Sequence, residues 1–115
     1  PDDEGWMRTG VDIIVPNFQG TFSCDVEISE FKNLVDALSL LKDSVGKEVE
    51  TTWGNMEENI EFSFNLKRLG ALTVSYKFSS TNFNLGPTLW GNFEADQTFI
   101  DIWLKQAEEV LENVI

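Results

Sequence analysis

The chain contains no histidine and only one cysteine, Cys24, among its 115 residues. Without histidine, it lacks the side chain most often used as a general base and as a metal ligand. Catalytic sets built on Ser-His or Cys-His pairs are therefore excluded, and so is a Cys/His zinc site. A single cysteine cannot form an intramolecular disulfide. This favours a reducing compartment, and we expect a cytoplasmic location.

Other sequence motifs of catalytic, nucleotide-binding and metal-binding sites are also missing. The sequence has no GxGxxG motif and no P-loop, and the acidic run Asp2-Asp3-Glu4 lacks the spacing of an EF-hand. Cys24 lies on the apolar side of a predicted strand, where burial is expected to leave its thiol unreactive. Chance pairs of carboxylates are certain among 20 acidic residues, so no pair stands out as catalytic. We predict that the chain is not an enzyme and that it has no cofactor or metal site.

Basic residues are scarce. There are 8 Lys and Arg against 20 Asp and Glu, which gives a formal net charge of −12. A negative surface repels phosphate backbones and anionic lipids, so binding to nucleic acid or to such membranes is not expected. It attracts a basic protein and accelerates the encounter. The alternative interpretation is that the acidity only keeps the chain soluble.

No apolar run approaches the roughly 20 residues that a membrane-spanning helix needs. The length fits one domain over residues 1–115, and 42% hydrophobic residues argue against disorder. Residues 1–9 are mostly polar and are predicted to form a loose N-terminal segment. The sequence begins at Pro1 rather than at Met, so its start was trimmed, processed or not supplied.

The periodicity of apolar residues predicts six strands and two helices. Apolar and polar residues alternate in segments that are typical of half-buried strands: 11–15, 22–28, 48–53, 60–66, 72–78 and 89–94. Helical spacing over 30–45, with Ser29 as N-cap and Gly46 as stop, predicts the first helix. The second begins near Asp96 or Thr98. We therefore predict an α+β fold in the order β-β-α-β-β-β-β-α, in which an antiparallel sheet of about six strands carries both helices on one face.

The sheet face that the helices leave open is the best candidate for a binding surface. If the alternation holds, one aromatic residue and several acids point away from the helices. An exposed aromatic anchor among acids is typical of a surface that binds a basic protein. The alternative is an ordinary solvated face, with the aromatic residue turned into the core. The candidate partner-binding residues are Asp25, Glu27, Glu48, Glu50, Glu61, Trp90 and Glu94, with Asp12 on the same face.

The order of short signals along the chain resembles the WapI-like family of small bacterial immunity proteins. The signals span nearly the whole chain: Gly5-Trp6-Met7 before the first strand, Phe18-Gln19-Gly20-Thr21-Phe22, Glu30-Phe31 opening an apolar helix, Leu69-Gly70 and Asp96-Gln97-Thr98-Phe99. The resemblance implies a toxin-neutralising protein with a protein partner, and it supplies no catalytic motif. It also implies that the chain lacks a piece upstream of Pro1, because the family pattern begins before that residue.

Three hypotheses remain open at this point, the last of them an enzyme that uses carboxylates alone, for which no acid stands out. The first is an immunity or antitoxin-type inhibitor that binds a basic toxin or effector, such as a nuclease, in a bacterial cytoplasm. The second is a structural or regulatory module that binds another chain through an apolar groove, or forms a homo-oligomer through a sheet edge. The first predicts binding that weakens with salt, and the second predicts binding that salt leaves unchanged.

Overall fold

The computed structural model describes residues 4–114. Its elements follow the predicted order, so the α+β prediction is confirmed. All six strands are antiparallel to their neighbours. The elements are β1 (Trp6–Val15), β2 (Phe18–Glu27), α1 (Ile28–Asp43), β3 (Val49–Gly54), β4 (Ile60–Leu66), β5 (Ala71–Ser79), β6 (Thr88–Asp96) and α2 (Thr98–Val114), with a short 3-10 turn at Asn82–Asn84.

The six strands are divided between two sheets rather than joined in one. The first is the two-stranded hairpin of β1 and β2, and the second has four strands in the order β3-β4-β5-β6. The hairpin buries Cys24 and Val26 against Trp53 and Ile60 of the four-stranded sheet. Because these contacts join apolar side chains rather than strand edges, the hairpin forms a layer beside the helices instead of extending the sheet.

Both helices pack on one face of the four-stranded sheet, here called the inner face. Leu38 and Leu41 of α1 and Ile100 of α2 meet Leu66 and Leu72 in the main core. Leu41, Leu66 and Leu72 are fully buried. Burying such a side chain contributes about 1.5–3 kcal/mol. Within residues 4–114, no helix is long and apolar enough to cross a membrane.

Two predicted boundaries differ from the structure. Helix α1 starts at Ile28, and its N-cap is Glu27 in extended geometry without a side-chain capping bond. The predicted N-cap Ser29 therefore lies inside the helix, because β2 continues into α1 without a loop. At the N-terminus, β1 begins at Trp6 and pairs with β2, so residues 6–9 are not loose. Residues 1–3 of that predicted segment lie outside the described residues.

Aromatic rings connect neighbouring strands on the inner face. The Trp53 and Phe62 rings are stacked with centroids 6.1 Å apart, and Phe62 meets Phe78 edge to face at 5.8 Å. Each such pair adds about 0.5–1.5 kcal/mol beyond the area that it buries. Tyr76 faces Gly91 across the β5–β6 ladder, and a Cβ at position 91 would stand 2.5 Å from the tyrosine hydroxyl. A larger residue at position 91 would therefore force the Tyr76 ring to move.

Candidate functional site

The face of the four-stranded sheet that points away from the helices is here called the outer face. Its members alternate with the core residues along each strand. The register aligns them in three cross-strand rows. The rows are Glu50–Asn65–Thr73–Glu94, then Thr52–Ser63–Ser75–Asn92, then Gly54–Glu61–Lys77–Trp90.

Three of the predicted acids and the tryptophan lie together on this face. Strands are about 4.8 Å apart and residues rise about 3.4 Å, so Glu50 and Glu94 lie roughly 14 Å from each other at one end. Glu61 and Trp90 occupy the other end. Trp90 is 73% exposed, so the alternative in which it turns into the core is wrong. Its row neighbour Lys77 is the one cation within the three rows.

The centre of the outer face is a shallow depression of about 420 Å³. Its walls include the short side chains of Thr52, Ser63 and Ser75, and Glu61 and Lys77 stand at its rim. A depression forms here because the short side chains of Thr52, Ser63 and Ser75 lie in the row beside the longer side chains of Glu61 and Lys77. Hydroxyl and carboxylate oxygens accept hydrogen bonds, so the depression suits a cationic side chain such as arginine.

The hairpin acids do not share this face, and that part of the prediction is wrong. Asp25 and Glu27 lie in β2, which belongs to the other sheet. The hairpin packs its apolar side onto the inner face of the four-stranded sheet, so these acids point away from that sheet. Asp25 pairs with Arg8 at 3.3 Å in an exposed ion pair. Asp12 likewise lies in the hairpin, where its carboxylate accepts a hydrogen bond from Thr21.

Glu48 is exposed and precedes β3, which starts at Val49. It therefore borders the outer face at the Glu50 corner without belonging to the ladder. Asn65 donates a hydrogen bond of 3.1 Å to the Glu50 carboxylate, which orients that side chain at the edge of the sheet. Cys24 is 1% exposed, and burial raises the pKa of its thiol, as expected of an unreactive core residue.

Sequence reasoning missed a buried polar cluster at the loop between β3 and β4. The Asn55 side-chain oxygen accepts the backbone N–H groups of Asn59 and Ile60, each at 2.8 Å. Its amide donates to the backbone carbonyl of Asp25 at 3.3 Å. Asn59 in turn donates to the carbonyl of Ser79. The cluster connects the hairpin, the loop and β5. In the sequence, polar residues after Gly54 indicate only a turn.

Glu30 of α1 borders this cluster and is also buried. Its carboxylate accepts the N–H of Met56 at 2.9 Å, and the Trp53 indole donates to its backbone carbonyl at 2.7 Å. Burial raises the pKa of the Glu30 carboxyl, while the bond from Met56 opposes that shift. Its second oxygen, Oε1, has no hydrogen-bond partner among the described residues. The described residues contain no group of three or more metal-ligating side chains.

Comparison with known proteins identifies the family. The model of the Immunity protein WapI-like family matches residues 1–114. The chain belongs to this family. No curated protein and no solved structure matches it. Family membership gives the chain an immunity role, which is generally performed by binding rather than by catalysis.

This immunity protein has a second concave surface besides the outer face. An apolar cleft of about 400 Å³ opens between α1, α2 and the inner face. Phe31 and Leu34 of α1 line one side, and Trp103 and Val110 of α2 line the other. Such a cleft accepts apolar side chains and offers nothing to a charged group. The two surfaces therefore differ in the chemistry of the partner that each accepts.

Proposed function

We propose that the chain neutralises a basic toxin or effector by binding it with the outer face of the four-stranded sheet. The observation that carries this proposal is one exposed tryptophan, Trp90, on a face that also carries Glu50, Glu61 and Glu94. Tryptophan is a frequent anchor of protein interfaces, and the acids set the charge of the partner.

The net charge of −12 also favours a basic partner, because its electrostatic field acts at long range. A strong field of one sign draws an oppositely charged protein in and raises its association rate. A nuclease fits this description, because its own substrate is a polyanion and its active surface is basic. The outer face would then cover the surface that the nucleic acid needs. We propose a bacterial cytoplasm as the setting, since the lone Cys24 favours a reducing compartment.

The proposal assigns different roles to the predicted acids. Glu50, Glu61 and Glu94 contact the partner, and Glu48 borders the contact. Asp25 and Glu27 face elsewhere, so they contribute to the long-range field without touching the toxin. An arginine of the partner fits the central depression, where Glu61 accepts its charge and hydroxyls accept its N–H groups.

The test compares two double charge reversals that change the net charge equally. Glu50→Lys with Glu94→Lys alters the outer face, and Glu108→Lys with Glu109→Lys alters exposed positions of α2. The dissociation constant is measured against the purified protein encoded by the adjacent gene, and growth protection is scored in cells that express that protein. Loss of contacting charges should weaken binding on the order of 100-fold. The α2 variant should lose only the part of the affinity that comes from the long-range electrostatic field.

Equal weakening by both variants would show that the acids act through the field alone and would refute the outer face as the contact surface. Unchanged binding by both would refute a basic partner. Raising the salt from 50 to 500 mM should weaken the wild-type complex and should affect the outer-face variant less, because that variant has already lost its contacting charges.

The apolar cleft favours a second candidate function, a module that binds another chain without using charge. Val110 lines this cleft and is 46% exposed. If the cleft is the binding surface, Val110→Asp abolishes binding while the outer-face reversals do not, and salt leaves the affinity unchanged.

A further inference from the structure

The two edges of the four-stranded sheet differ in what surrounds them. At the β3 edge, α1 packs against the strand, and the Trp53 indole donates to the backbone of Glu30. Asn55, directly after β3, donates to the backbone of Asp25 in the hairpin. Strand β6 forms the other edge and has few contacts with α2. The β6 edge is also the longer one, with nine residues against six in β3, and it carries the exposed Trp90.

The hydrogen bonds that bracket the β5–β6 ladder show which backbone groups of β6 face outward. Gln97 donates its N–H to Gly70 at 2.9 Å, and Ser80 donates its N–H to Pro87 at 3.2 Å. Both pairs continue the register of the ladder, one beyond each end. Bonded and non-bonded pairs alternate in an antiparallel ladder. The bonded residues of β6 are thus Leu89, Gly91, Phe93 and Ala95.

The N–H and C=O groups of Trp90, Asn92 and Glu94 consequently point away from β5. None of the backbone hydrogen bonds found outside the ladders and helices of the described residues involves these three residues. Because these three residues alternate with the bonded residues along β6, their side chains all lie on the outer face. One strip of β6 therefore presents open backbone groups beside the exposed tryptophan and an acid.

Strand β6 also has few of the features that protect sheet edges. It contains no proline and no lysine, and its charges, Glu94 and Asp96, are confined to its C-terminal end. Natural edge strands usually carry such residues to prevent pairing with another chain. A nine-residue edge without them is suited to accept an added strand.

We propose that the β6 edge accepts an extended basic segment of the toxin as a fifth strand, hydrogen-bonded to Trp90, Asn92 and Glu94. This inference rests on the proposed function and adds the mode of binding to it. Charge selects the occupant. A basic segment is drawn to a chain of net charge −12, whereas two copies of this chain repel each other. Alternate side chains of the added strand would lie over the outer face, near Glu94 and the central depression.

Hydrogen exchange on the wild-type chain tests the added strand directly. The probe is the protein encoded by the adjacent gene, carrying a substitution that removes its toxicity. In the free chain, the amides of Gly91 and Phe93 should exchange slowly and those of Trp90, Asn92 and Glu94 quickly. In the complex, the fast group should slow by about tenfold or more, because each amide gains a partner. Unchanged exchange of these amides in a complex that forms overturns the proposal.

Two substitutions at position 92 distinguish the contribution of the backbone to binding from that of the side chain. Asn92→Pro removes the outward N–H, and Asn92→Ala removes the same side chain but keeps the N–H. Proline is tolerated at an edge position whose N–H is not in the ladder, and thermal melting checks this for both variants. Asn92→Pro should bind the same probe at least about tenfold more weakly than Asn92→Ala. Equal affinities of two folded variants overturn the proposal.

The outcomes also separate this inference from the function on which it rests. If the outer-face reversals weaken binding and the Asn92 variants bind equally, the outer face stands and the added strand is wrong. If the wild-type chain does not bind the probe, both are wrong. Sedimentation of the chain alone tests the remaining possible occupant of the edge, a second copy of this chain. A dimer that Asn92→Pro disperses and Asn92→Ala does not would place a second copy on the edge and overturn the toxin segment.

Discussion

The polar cluster at Asn55 makes a sharp prediction about stability. Asn55→Ala removes an oxygen that accepts two backbone N–H groups, those of Asn59 and Ile60, at 2.8 Å each. Both donors belong to buried residues, so water cannot easily replace the lost acceptor. An unsatisfied buried donor costs about 1–3 kcal/mol. Two such donors give an expected loss of roughly 2–6 kcal/mol in the free energy of unfolding.

This loss is a large fraction of the total, because domains are stable by only about 5–15 kcal/mol. Equilibrium unfolding in urea, followed by tryptophan fluorescence, measures it. Asn65→Ala is the matched control, because Asn65 lies on the outer face and its amide makes one exposed hydrogen bond to Glu50. The control should change stability by less than about 0.5 kcal/mol. A loss below about 1 kcal/mol for Asn55→Ala would show that the loop between β3 and β4 does not depend on this side chain.

Two further predictions concern the core and the buried acid. Leu38→Ala should cost about 2–5 kcal/mol in urea unfolding, because Leu38 is buried in the main core, whereas Leu40→Ala on the same helix should cost far less because Leu40 is 44% exposed. Equal losses would contradict the assigned helix face. Burial raises the pKa of Glu30 in the folded state, so its contribution to stability is present at low pH and is lost as the pH rises through the folded-state pKa. Stability measured against pH should therefore decline less steeply with rising pH in Glu30→Gln, and parallel curves would contradict the burial of this carboxyl.

Alternation along the strands was enough to predict the inner and outer faces of the four-stranded sheet. Phe64 and Leu66 of β4 and Leu72 and Val74 of β5 are all buried, as their spacing indicates. Side chains in a strand alternate strictly between faces, so fixing the buried set also fixes the exposed set. For that reason the common face of Glu50, Glu61, Glu94 and Trp90 was predictable, whereas their role in partner binding stays a prediction.

Periodicity carries no information about which strands are neighbours. Cys24 and Val26 alternate with Asp25 and Glu27 as clearly as any residues in the larger sheet. The hairpin nevertheless packs as a separate layer, because its apolar side is buried against Trp53 and the strand edges are not joined. The buried polar residues were unpredictable for a related reason. Their hydrogen-bond partners lie in distant segments of the chain, so no local sequence pattern indicates them.

The spacing of Glu50 and Glu94 limits the repulsion between these two outer-face acids. Glu50 and Glu94 lie roughly 14 Å apart, whereas the Debye length at physiological salt is about 8 Å. Their mutual repulsion in the free chain is therefore largely screened. A bound cationic partner brings opposite charges within hydrogen-bonding distance of each acid, and salt screens the long-range attraction to the net charge of −12. Salt should consequently change the affinity for a basic partner far more than it changes the free energy of unfolding.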